Sequence, residues 1–409
     1  MEPWKRTLWI LWGGVLLCSA SYTMAVPFLP LFLFDLGVEE DAVNLWAGAV
    51  HSSAFLVGAV MAPLWGSLAD KYGKRKMVIR AGLSLAVIYA LIGLVQTPWQ
   101  LIVVRMLHGL VGGFVPASMA IVASAAPGAK LGWSLGMMQA GTMTGGILGP
   151  LMGGLLSLWF GQRLSFVVAA ALILLATLAV IVWVREGNAP SAKAKESKLW
   201  RDVKEALQDG LLTRMLLLLL VFQLSLNMIQ PLLTLHIAEL QGELTGAVLT
   251  SGLVFALIGV AGILASPFWG RMGEQRGYGR VLTFCLLVSG VVISTQYFVH
   301  ELWVFTAVQF VFGLFMAGIV PNINTLVVQH TSESFRGRSF GLTTSANQFG
   351  AMIGPLIGGG LGFFLDIRWI FVTTGLIMAA AALSMLSRRR RGAEDGSKPG
   401  RRQEQGQGA

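Results

Sequence analysis

The chain has 409 residues, 55% of them hydrophobic and only 12% charged. A soluble domain carries about 25% charged residues, so a water-facing surface of this size is excluded. The formal net charge of +10 could suggest a nucleic-acid partner on a soluble protein. Here it is mostly a topology signal, because the basic residues collect in a few loops, and no nucleic acid is expected.

In chain order, apolar runs long enough to cross a bilayer lie near 8–34, 44–69, 77–96, 98–124, 132–158 and 163–184. They resume near 212–238, 246–270, 279–299, 302–327, 338–364 and 367–387. The first run continues through Phe28–Phe34, longer than a secretory h-region, and reads as a span. The pattern predicts an all-α integral membrane protein of about twelve transmembrane helices. An N-terminal six-helix bundle spans 1–184 and a polar cytoplasmic linker 185–210. A C-terminal six-helix bundle spans 211–387, and a disordered basic tail 388–409. Within the linker region, Leu199–Leu211 could form a short amphipathic helix on the membrane surface. Fifty glycines and 13 tryptophans suit membrane helices. Cys18 and Cys285 sit far apart in apolar stretches and read as packing residues.

Basic residues mark the cytoplasmic side. They occur at Lys5 and Arg6, at Lys71 and Lys74–Lys76, and through 185–204. They recur at Arg271, Arg276 and Arg280, at Arg336 and Arg338, and at Arg388–Arg391. The intervening loops are acidic or neutral, with Asp35, Glu39, Glu40, Asp41, Glu239 and Glu243. This alternation predicts an even number of spans in the cytoplasmic membrane, with both termini in the cytoplasm.

The halves also repeat one another at an offset of about 204 residues. Ala62-Pro63-Leu64-Trp65-Gly66 echoes Ser266-Pro267-Phe268-Trp269-Gly270. Gly149-Pro150-Leu151-Met152-Gly153-Gly154 echoes Gly354-Pro355-Leu356-Ile357-Gly358-Gly359. Parallel repeats joined by a cytoplasmic loop are a transporter architecture, with the substrate between the halves.

Four elements carry mechanism. Gly66-Ser67-Leu68-Ala69-Asp70-Lys71-Tyr72-Gly73-Lys74-Arg75-Lys76 follows the second span. It resembles the signature of the major facilitator superfamily, G-x-L-A-D-[RK]-x-G-[RK]-[RK], at every defined position. The fifth span carries Gly145, Gly149, Pro150, Gly153 and Gly154, similar to the GxxxGPxxGG element of that superfamily's drug–proton antiporters. Val26-Pro27-Phe28-Leu29-Pro30 resembles the proline-rich first helix of its twelve-span drug exporters, and Arg105 with Gly109 its R-x-x-x-G element. The resemblance implies that Asp70 latches the halves near Ser339 at the start of span eleven. It implies that the fifth-span glycines mark export, although ordinary helix packing explains the same spacing. It links Arg105 to proton transfer; a snorkelling arginine is the alternative. Asp35 and His108 are further proton-coupling candidates, and Asp35 is placed where it could reach Arg105.

No Asp or Glu falls clearly in the middle of a span. Candidate cavity groups are Tyr22, Gln223, Asn227, Gln230, His236, Asn322, Asn324, Asn347 and Gln348. Such a lining favours a neutral or anionic amphipathic substrate over a dication. No Walker loop, zinc site or nucleophile elbow occurs, so the chain reads as a transporter and not an enzyme. It needs no cofactor and is driven by the proton gradient. The leading expectation is proton-coupled export of lipophilic small molecules such as drugs, by a monomer. The alternatives are export or flipping of one metabolite, siderophore, sugar or lipid-linked glycan, and a non-transporting membrane sensor.

Overall fold

The computed structural model describes residues 2–127, 130–184, 208–244, 246–331 and 336–396. Only the helical backbone is described at 62–64, 66, 67, 69–71, 132, 336–341 and 386–396. The helices of the first half are α1 Pro3–Met24, α2 Leu29–Asp35, α3 Val43–Tyr72, α4 Lys74–Leu94, α5 Pro98–Leu110, α6 Phe114–Ala125 and α7 Leu131–Trp183. Those of the second half are α8 Gly210–Ile229, α9 Leu233–Gln241, α10 Ala247–Arg276, α11 Tyr278–Thr295, α12 Leu302–Met316, α13 Ile319–His330, α14 Arg336–Phe364 and α15 Arg368–Gly396.

Among the described residues, ten apolar stretches are long enough to cross a membrane. One of them, Trp133–Trp183, holds 51 residues, or roughly 75 Å of helix against a core of about 30 Å. It folds back at Gly161, where φ is 75°, and so makes two crossings. With α14 the crossings number twelve, in two six-helix bundles.

The first, fourth, seventh and tenth spans are each broken in two. The breaks fall at 25–28, 111–113, 230–232 and 317–318. Proline cannot donate to the ladder, and Pro27 and Pro231 lie inside the first and third of these gaps. Gly113 takes a φ of 110° that a side chain would strain. Backbone groups freed in hydrocarbon need new partners. Arg80 Nη2 donates to the Gly112 carbonyl at 2.8 Å, and its guanidinium lies 3.3 Å from the centre of the Trp65 ring.

The repeat is written into the packing. Trp65 Nε1 donates to the Leu110 carbonyl at 2.6 Å, and Trp269 Nε1 to the Leu314 carbonyl at 2.7 Å. Gly145, Gly149 and Gly153 press onto the backbone of α1 at Leu16, Ala20 and Met24. Gly350, Gly354 and Gly358 press onto α8 at Leu220, Leu224 and Met228. Each contact in the second half is the first-half contact moved along by the repeat. Gly73 and Gly277 likewise begin α4 and α11 with φ of 98° and 90°.

The Phe28, Phe32 and Phe166 rings form a core cluster, with centroids 5.0 and 5.7 Å from Phe166. His236, Phe305 and Phe371 form its counterpart, with His236 in the place of Phe32. The expected linker lies largely outside the described residues, as does most of the expected amphipathic segment. Asp209 caps α8 by accepting from the Leu211 and Leu212 amides at 2.9 and 3.1 Å. At the other end α15 stays helical to Gly396, beyond the expected start of a disordered tail.

Candidate functional site

Two faces can be told apart by charge. Lys74–Lys76, Arg271, Arg276 and Arg280 lie at one end of the bundles, here the basic face. Glu39–Asp41, Glu239 and Glu243 lie at the other, the acidic face. On the basic face two of the signature cations tie neighbouring helices together. Arg75 donates to the Val184 and Ile181 carbonyls, both at 2.6 Å, at the end of α7. Lys74 Nζ donates to the Ala120 carbonyl on α6 at 3.3 Å. Arg75 places positive charge on the C-terminus of α7, where the dipole favours it. Gly66 is described by its backbone alone, and the side chains of Asp70, Lys71 and Ser339 fall outside the described residues.

Between the halves, the acidic-face ends of α3 and α14 touch, and so do those of α7 and α10. Gly48 packs on the Pro355 carbonyl, and Gly252 on the Pro150 carbonyl, again one repeat apart. Gly359 meets Asn44, and Gly154 meets Leu249. Asn44 Nδ2 donates across the junction to the Gly362 carbonyl at 2.7 Å. The fifth-span motif therefore has two faces. Gly145, Gly149 and Gly153 pack within a bundle, whereas Pro150 and Gly154 close the junction between bundles. A side chain on any junction glycine would hold the halves apart.

Away from that junction lies a cavity of about 350 Å³. Its polar wall is made of amides: Gln223, Asn227, Gln230, Gln309, Asn347 and Gln348. Gln223 Nε2 donates to Asn347 Oδ1 at 2.7 Å, and Asn227 Nδ2 to the Gln223 carbonyl at 2.8 Å. Its apolar wall includes Phe255, Ile258, Phe312 and Met316. All of these come from the second half; Phe55 is the first-half residue on the lining. Five of the expected cavity amides, Gln223, Asn227, Gln230, Asn347 and Gln348, are therefore brought together. Asn322 is not among them: it is buried and turns its amide to the Gly318 carbonyl of its own helix at 2.5 Å. Asn324 is also absent from the lining. Sequence reasoning missed Gln309 and Phe55. Gln309 stands one repeat after Arg105, and that register was the available signal.

Arg105 is 5% exposed and His108 6%. Tyr22 does not line the cavity. Its ring lies between Phe55, 6.0 Å away, and His108, 5.5 Å away. Tyr89 meets His108 edge to face at 5.3 Å and donates its hydroxyl to the Ser21 carbonyl at 2.7 Å. Gly109 lets α5 lie against α3 at Ala54 and Gly58, which accounts for the glycine of the R-x-x-x-G element. Asp35 does not pair with Arg105: it is exposed at the end of α2 and forms no ion pair among the described residues. His236 is fully buried among aromatic rings, with Nδ1 3.2 Å from Glu239; it does not line the cavity.

Two bundles related by a parallel repeat, with a cavity beneath a glycine-lined junction, describe a transporter fold. The sequence model of the Major Facilitator Superfamily matches residues 11–262 and 215–407. The chain belongs to the major facilitator superfamily. It is 34% identical over 391 residues to the multidrug resistance protein MdtG of Salmonella heidelberg (strain SL476), covering 95% of this chain and 96% of that protein. MdtG of Salmonella typhimurium (strain LT2) matches to the same extent, 34% over 391 residues. Among solved structures, an inward-facing bacterial homologue of the human lysosomal transporter Spinster superposes with a TM-score of 0.78 at 15% identity, covering 98% and 100% of the two chains. The nucleoside transporter NupG gives 0.76 at 13% identity, covering 95% and 99%. These last two are likenesses of fold. Membership of the superfamily makes the chain a multi-pass membrane transporter of small molecules.

Proposed function

We propose that the protein exports lipophilic small molecules, drugs among them, in exchange for protons, by alternating access of its two bundles. The observation that carries this reading is the closed acidic-face junction beside an amide- and phenyl-lined cavity. By the positive-inside rule the basic face is cytoplasmic, which puts both termini in the cytoplasm. The closed junction then faces outward, as an exporter requires while it loads from the cytoplasm. The relatives named multidrug resistance protein MdtG support a drug-like cargo. A flexible apolar wall with scattered amides suits several cargoes better than one. One chain supplies both sides of the junction, which supports a monomer as the working unit. The driving force is the proton gradient, and no cofactor is required.

The test is accumulation of a panel of fluorescent and antibiotic compounds in a pump-deficient bacterium expressing the chain, with and without a protonophore. Lower accumulation of several unrelated compounds, reversed by the protonophore, is the expected result. An unchanged panel would refute broad export. Export that persists with the protonophore would refute proton coupling.

A further inference from the structure

Arg105 is a buried cation with no counter-charge. It makes no ion pair and no hydrogen bond among the described residues, and its Nε is shut off from solvent without an acceptor. His108 stands one turn away on α5 with the Tyr22 and Tyr89 rings against it at 5.5 and 5.3 Å, and none of these side chains is a carboxylate. Two more nitrogens of this cluster, His108 Nδ1 and His51 Nε2, are equally buried and equally without a hydrogen-bond partner. A buried charge left unpaired is strongly unfavourable, and a charge within a span marks a functional site. The guanidinium Nε is an obligate donor left without an acceptor among the described residues, and each imidazole becomes a further donor when protonated.

It also adjoins the cavity. Phe55 lines the cavity, and its ring contacts both Tyr22 at 6.0 Å and His51 at 5.5 Å. The Phe55, Tyr22 and His108 rings thus run in contact from the cavity wall to the face of α5 that carries Arg105, one turn from His108. The cavity itself carries no charged side chain.

We propose that Arg105 is the counter-ion of the cargo, and that the protein exports amphipathic organic anions. The acid group, a carboxylate, sulfonate or phosphonate, docks at Arg105 with His51 and His108 as further donors, and the apolar body fills the cavity. Movement of the Tyr22 and Phe55 rings opens the way between the two. This names the substrate class of the exporter proposed above and rests on that reading. It separates the cargo from lipophilic cations, which Arg105 repels.

The experiment uses three probes that share one fluorescent apolar body and end in a carboxylate, a primary amide or a trimethylammonium group. Binding of each to the purified full-length protein in detergent is measured beside efflux of each from cells. The wild type is expected to bind the carboxylate at least about tenfold more tightly than the ammonium probe. Arg105→Gln should lose that preference while binding the amide within about twofold. Arg105→Lys, which keeps the charge, should retain part of it. Equal binding of carboxylate and ammonium by the wild type would overturn the proposal. So would an Arg105→Gln protein that weakens all three alike, or a wild type that binds none. The wild-type comparison decides even where Arg105→Gln does not fold. Carboxylate binding without efflux would uphold the anion site and refute export. Efflux with no charge preference would uphold export and refute the anion site.

Discussion

Gly350→Ala puts the link between helix packing and the cavity to a direct test. A methyl group there would sit 2.5 Å from the Leu220 carbonyl oxygen, 2.7 Å from Gln223 Cβ and 2.9 Å from the Leu224 nitrogen. Ordinary non-bonded separations are about 3.5 Å, so α8 must retreat from α14 by roughly 1 Å. Such overpacking costs about 1–3 kcal/mol. The same retreat carries Gln223 away from Asn347. Their 2.7 Å hydrogen bond stretches beyond the limit of about 3.5 Å, which adds about 1 kcal/mol and redraws the cavity wall. Gly360→Ala is the matched control, because a methyl there meets nothing within 4 Å on the same helix. It should be neutral, or more stable by up to about 1 kcal/mol through helix propensity. Thermal unfolding of the purified proteins and efflux from cells are the assays. Gly350→Ala should unfold earlier and transport poorly, and Gly360→Ala should match the wild type. A Gly350→Ala protein as stable and active as the control would mean that this contact is loose.

Four further outcomes follow from particular contacts. Gly73→Ala and Gly277→Ala should each destabilise by about 1–3 kcal/mol, because both positions hold φ values that side chains avoid; unchanged unfolding midpoints would show that the turns relax. Trp269→Phe leaves the Leu314 carbonyl without its donor and should cost about 1–3 kcal/mol in the same assay, with equal stability as the refuting result. Asn44→Ala removes a hydrogen bond across the junction. A cysteine placed at Leu361 should then react with an impermeant maleimide about 2- to 10-fold faster, and an unchanged rate would deny the bond a part in closure. Asp70→Asn should lower efflux while membrane insertion stays intact, and undiminished efflux would remove the latch role.

Much of this molecule is legible from residue order. Hydrocarbon offers no hydrogen bonds, so each crossing needs a long apolar helix, and such runs can be counted. Arg75 and Gly73 could be singled out because a cation cluster and a glycine turn have local causes. The cavity was harder to read. Gln223, Asn227, Gln230 and Asn347 were found as polar residues in apolar helices. Asn322 shared that description yet bonds to its own backbone, because a one-dimensional pattern does not say which way a helix face points.

Sequence by itself determined the twelve crossings, the repeat, the charge asymmetry of the two faces and the superfamily. All of these arise from composition and spacing along the chain. Only the tertiary structure decided that the Gly145–Gly149–Gly153 stripe packs on α1 while Pro150 and Gly154 meet the other half. It also decided that the cavity belongs mainly to the second bundle, and that Asp35 lies apart from an unpaired Arg105. Those facts depend on how helices distant in sequence rotate against one another. That rotation is set by the fit of side chains against facing backbone, which no local pattern encodes.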